Sequence, residues 1–140
     1  MTKQTNGLYL KYNITKSSGE PLAPSFEGFV LRLDSDGDKA HVRASLKAVM
    51  TYADEIERHL PELANDLREQ YSPLLDKFRA EIDAWKAEYA RELIRQCHFD
   101  LSTALEMADS CLDSFNYDLD DAPTPSEAVD DEIDAMRACC

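Results

Sequence analysis

The feature that constrains this chain most is the apolar series Leu75, Phe78, Ile82, Trp85, Tyr89, Leu93 and Cys97, which recurs in steps of three and four. That period keeps every member on one face of an α-helix and would scatter them over both faces of a strand. Ser72 followed by Pro73 offers a cap and a first-turn proline. The spacing therefore predicts a helix from Pro73 to about His98, roughly 39 Å long at about 1.5 Å per residue, as the spine of the domain.

The segments around this spine read as follows. "LYLKYNIT" alternates, with Leu8, Leu10, Tyr12 and Ile14 on one face and Tyr9, Lys11, Asn13 and Thr15 on the other. "FEGFVLRLD" repeats the pattern with Phe29, Leu31 and Leu33 inward, and "KSSGEP" supplies turn residues between them. An antiparallel β-hairpin over residues 8–34 is expected, leaning on helices because two strands alone are not stable. Asp38 is placed to cap a helix carrying Val42, Leu46, Val49, Met50, Ala53, Ile56 and Leu60. Pro61 ends or bends that helix, and Leu63, Leu67 and Tyr71 continue a short one. Ser102 is expected to cap a helix over 103–115 that buries Ala104, Met107, Cys111 and Phe115, and a last helix runs from Thr124-Pro125 to about Arg137. The expected fold class is α+β: an N-terminal hairpin (8–34) packed on a mostly helical bundle (38–98) with one long central helix and an acidic helical C-terminal region (99–140). A length of 140 residues suits a single domain over 1–140.

Charge is the second constraint. The chain has 28 acidic and 15 basic residues and a formal net charge of -13, which excludes nonspecific attraction to nucleic acid or to an anionic membrane. Residues 1–98 carry 16 acids and 14 bases, whereas residues 99–140 carry 12 acids and Arg137 as their one base. No apolar run approaches the roughly 18 residues of a membrane span, and "MTKQTNG" is no secretory signal, so a soluble cytoplasmic protein is expected. Cys97, Cys111, Cys139 and Cys140 follow no regular spacing and read as reduced thiols, the last two at an oxidation-prone end.

On the last helix the charges separate from the apolar residues. Val129, Ile133, Met136 and Cys140 share one face, and Glu127, Asp130, Asp131 and Asp134 share the other. Like charges at i,i+4 cost about 0.2–0.5 kcal/mol per pair, a cost that interleaved lysines would avoid. Four carboxylates spread over about 10.5 Å match the roughly 3.4 Å axial spacing of phosphates along one DNA strand. Three readings follow: a solvated, solubility-conferring face or loosely ordered tail, a protein-binding surface that stands in for nucleic acid, and a metal site.

Metal and enzyme readings are weakly supported. In "DSDGDK" Asp34, Asp36 and Asp38 alternate, but Lys39 and Ser45 occupy the glycine and glutamate positions of a calcium loop. Asn116, Asp118, Asp120 and Glu127 fit such a loop better, yet Asp121 stands at its glycine position. Cys97, His98 and Cys111 match no zinc-finger spacing, and both cysteines fall on apolar stripes. His41 and His59 have no nucleophile patterned near them, and no phosphate loop, dinucleotide fingerprint or nucleophile elbow is present. No enzymatic activity, catalytic residue, metal or cofactor is expected.

"KYNITKSSGEP", "FVLRLD" and "ASLKAVMTYADEI" together resemble a group of small uncharacterised proteins encoded by phages, prophages and mobile elements. The likeness runs over about residues 8–57, through a K-Y-x-I-x-K strand, a G-x-P turn, an F-V-L-R strand ending in Asp and a helix bearing Tyr52-Ala53. It implies a viral accessory protein, and by analogy an inhibitor of host defence such as an anti-CRISPR protein. The expected function is binding and inhibition of a basic nucleic-acid-handling host protein, an effector or nuclease, in the host cytoplasm, without direct contact to nucleic acid or membrane. The residues expected to carry it are Asp118, Asp120, Asp121, Glu127, Asp130, Asp131 and Asp134. The alternative is a small oligomeric adaptor, for instance a homodimer, with Trp85 and the stripe through Tyr89 as its interface and the acidic tail for solubility.

Overall fold

A computed structural model describes residues 12–139. The chain divides into two units, Met1–Leu31 and Arg32–Cys140. The second unit holds four helices: α1 (Lys39–Ile56), α2 (Pro61–Cys97), α3 (Leu101–Ser114) and α4 (Pro125–Ala138).

The described residues contain no strand, which overturns the α+β expectation and the hairpin over 8–34; residues 8–11 of that hairpin lie outside the described residues. The described part of the first unit has turns instead, closed by Gly19 N–H donating to the Lys16 carbonyl (3.0 Å) and Phe26 N–H to that of Ala23 (2.9 Å). The physical reason lies in the connection. Residues 16–25 are ten, against the two to five of an ordinary hairpin loop, and they include Pro21 and Pro24. A link that long leaves register unspecified, and Gly28 weakens the second segment further. Ile14 does approach that segment, since a Cβ at Gly28 would lie 2.8 Å from its Cδ1. Phe29 stays 70% exposed.

In the second unit α2 is the scaffold, because α1, α3 and α4 all pack on it. Its 37 residues span about 55 Å, longer than the sequence suggests, since Ser72-Pro73 does not start a new helix. The apolar series Ala64, Leu67, Tyr71, Leu75, Phe78 passes straight through Pro73, and Pro73 itself is exposed. Pro73 offers no N–H to the Glu69 carbonyl one turn back, and Glu69 is likewise exposed. Pro61 occupies the first turn and Leu60 the N-cap.

Two separate cores lie along α2. Val42 and Leu46 of α1 meet Leu75 and Phe78, flanked by Leu33, Met50, Tyr71 and Leu74. Farther along, Ile82, Trp85, Tyr89, Ala90 and Leu93 meet Ala104, Ala108 and Leu112 of α3 and Ala128, Val129 and Ile133 of α4. Trp85 and Tyr89 stack at 5.4 Å between ring centroids, and Trp85 Nε1–H donates to the Pro123 carbonyl at 3.1 Å. Burial, then Glu132 and Cys111, pushes the Tyr89 phenol up to about 12.

Local signals fix the ends. Asp38 caps α1 by accepting from His41 N–H at 2.8 Å. Asp100, rather than Ser102, caps α3, accepting from both Thr103 N–H and Thr103 Oγ1. The buried residues of α3 are accordingly Ala104, Ala108 and Leu112, with Met107, Cys111 and Phe115 only half-buried. No helix among the described residues is long and apolar enough to cross a membrane.

Candidate functional site

Thr124 begins α4 with a capping box: its side chain accepts from Glu127 N–H, while Glu127 Oε2 accepts from Thr124 N–H at 3.0 Å. With that start fixed, Val129 and Ile133 turn inward, and Glu127, Asp130, Asp131 and Asp134 stay exposed on the opposite side. The amphipathic pattern read from sequence is thus realised as a docked helix with an outward acidic face.

The carboxylates proposed from sequence have unequal duties. Asp118 is buried at 7% exposure, and its Oδ1 accepts from Asp120 N–H at 3.0 Å. It shapes the connection between α3 and α4 and presents little charge to a partner. Asp120 is exposed but pairs with Lys39 Nζ at 2.8 Å. Glu127 belongs to the cap, and the bonds from Thr124 backbone and hydroxyl hold its carboxyl below the usual range. Asp121, Asp130, Asp131 and Asp134 remain outward; Arg137 approaches Asp134 only to 3.8 Å, with both side chains largely exposed.

Beside the acidic face, α2 contributes the Glu92–Arg95 ion pair. Gln96 Nε2 donates to Glu92 Oε1 at 2.7 Å and reaches Asp130 Oδ1 at 3.5 Å. Hydrogen bonds from Arg95, then Gln96, lower the Glu92 carboxyl to about 2, so it is charged over the whole physiological range. On the α3 side, burial first, then the Glu132 and Asp131 charges, push the Cys111 thiol up, away from reactivity.

The connection itself carries Tyr117, which the sequence did not single out, beside Asn116, which entered only as a possible calcium ligand. Asn116 and Tyr117 both adopt left-handed backbone, φ 53° and 57°. This brings the Tyr117 ring under Arg43 of α1, with the guanidinium carbon 4.6 Å from the ring centroid. The Tyr117 phenol neighbours Asp109, which accepts from Lys86 Nζ at 2.9 Å; the Lys86 bond, followed by the Tyr117 phenol, lowers the Asp109 carboxyl. Lys39 and Arg43, four residues apart on one helix face, were the available signal, but partners some 80 residues away leave no local pattern.

Among the described residues no group of three or more His, Cys, Asp or Glu side chains is placed to hold a metal ion. Asp118 and Glu127 of the better calcium-loop candidate are instead spent on backbone N–H groups. The grooves are shallow and apolar, one lined by Cys97, Phe99, Ile133, Met136 and Arg137. Compared with protein-family models, curated proteins and solved structures, the chain matches none.

Proposed function

We propose that this chain is a phage or mobile-element accessory protein that binds and inhibits a basic, nucleic-acid-handling host protein in the host cytoplasm, using the acidic face of α4. The observation that carries the reading is the ordered outward row Asp130, Asp131 and Asp134 on a docked helix. Rigid display matters because charges already held in place lose less conformational freedom on binding. Their separations fall within the roughly 8–10 Å screening length, so their fields add at a cationic groove. Asp118, Asp120 and Glu127 then act mainly by building this surface, and Asp121 lies at its margin.

The test uses immobilised protein and host lysate at low and moderate salt, followed by competition with a DNA or RNA oligonucleotide. The expected result is a nucleic-acid-binding protein that elutes with salt, is displaced by the oligonucleotide, and is not retained by the variant Asp130→Asn, Asp131→Asn, Asp134→Asn. Equal retention by that variant would end the proposal. The oligomeric-adaptor alternative gains no support, because Trp85 and Tyr89 are already covered by α3, α4 and the connection between them within one chain.

A further inference from the structure

We propose that α1 carries an electrostatic latch: its cationic first half is held by the acidic connection between α3 and α4, and screening those charges loosens that half of α1 on its apolar core with α2 while the α2–α3–α4 core stays closed. Residues 39–47 contain Lys39, Arg43 and Lys47 and no carboxylate, whereas residues 115–124 contain Asp118, Asp120 and Asp121 and no base. The contacts between these segments are polar, Lys39 Nζ to Asp120 Oδ1 at 2.8 Å and the Arg43 guanidinium over Tyr117. The α1 core and the α3–α4 core have no buried residue in common, so the apolar cores do not themselves fasten α1 to the connection.

Each side is prepared for this contact. Left-handed backbone at Asn116 and Tyr117, which disfavours side chains other than glycine, is held by Tyr117 N–H donating to the Leu112 carbonyl at 2.9 Å. Tyr117 is thereby fixed between the Arg43 cation and the Asp109 carboxylate. Arg43 Nε is buried without a hydrogen-bond partner among the described residues, so the ring and the surrounding charge hold the guanidinium more than directional bonds do. Beside it, partial desolvation first and then the Arg43 and Arg79 charges push the Lys47 ammonium down. Lys39 and Asp120 are reachable by solvent, at 35% and 69% side-chain exposure, so salt acts on them directly.

Hydrogen-exchange mass spectrometry on the full chain tests the latch. Amides in the first half of α1 are expected to exchange about two- to fivefold faster at ~0.5 M salt than at low salt, while those of α3 hold their rate. Lys39→Met is expected to show the faster rate already at low salt and to lose most of the salt response. Tyr117→Leu should do the same, and because it touches the turn, the surface variant Lys39→Met decides. Relief of general self-repulsion in a chain of net charge -13 has the opposite sign, slowing exchange as salt rises. Exchange of α1 in step with α3 at both salt levels, or an unaltered salt response in Lys39→Met, would overturn the latch. The proposal stands apart from any cationic partner, so its failure leaves the acidic-face reading untouched, and the reverse.

Discussion

At the scale of single residues, Trp85 and Tyr89 illustrate how an aromatic pair serves both packing and polarity. Trp85 closes the core and also satisfies the Pro123 carbonyl just before α4. Trp85→Phe keeps a ring but leaves that carbonyl unpaired, and is expected to cost about 1–3 kcal/mol, read as a lower urea midpoint. Tyr89 is buried with its phenol raised from 10.0 to about 12. A raised folded value means the folded state keeps a proton that the unfolded chain releases. Tyr89's contribution to stability is therefore full below about pH 10 and is lost as pH rises towards 12. Tyr89→Phe should show a smaller loss of stability over that interval; a loss equal to that of the parent chain would refute the assignment. The strip from Leu75 to Leu93 was legible because a helical period states burial directly. Tyr117 was not legible, since its role depends on a left-handed turn and on a cation from α1.

At the scale of elements, the starts of α1 and α4 were readable, the starts expected at Ser72-Pro73 and Ser102 were not, and neither were the strands. Asp38 and Thr124 cap where their side chains can reach N–H groups three residues on, a purely local matter. Asp100 displaced Ser102 because the carboxylate binds both Thr103 groups and adds a helical residue pair at Leu101-Ser102. Alternation in 8–15 and 26–34 described what each segment is able to do, but a strand exists only with a partner in register. In α4, Thr124→Ala removes one arm of the capping box and should cost about 1 kcal/mol by chemical denaturation. Asp130→Asn, Asp131→Asn, Asp134→Asn should instead leave stability unchanged or raise it by about 0.2–0.5 kcal/mol, since it relieves like charges three and four residues apart. A marked fall in the melting temperature of that variant would show that these carboxylates hold the fold as well as display charge.

At the scale of the helical unit, two cores on one helix predict unequal consequences for similar deletions. Leu46 and Leu112 are both fully buried, one in each core. Each change to alanine is expected to cost about 2–5 kcal/mol. Leu46→Ala should strip hydrogen-exchange protection from α1 and leave α3 protected, whereas Leu112→Ala should lower protection throughout α3 and α4; identical profiles for the two would mean a single cooperative unit. The continuous α2 has a further consequence during synthesis on the ribosome. Leu93 completes the apolar edge of its second half, but Ile133, which helps cover it, is made 40 residues later. At about 5–20 residues per second that delay lasts roughly 2–8 s, during which a nascent chain carries Trp85 and Tyr89 without their α4 cover. A chain stalled before α4 would therefore present an apolar helix to chaperones and proteases, although its first core was already built.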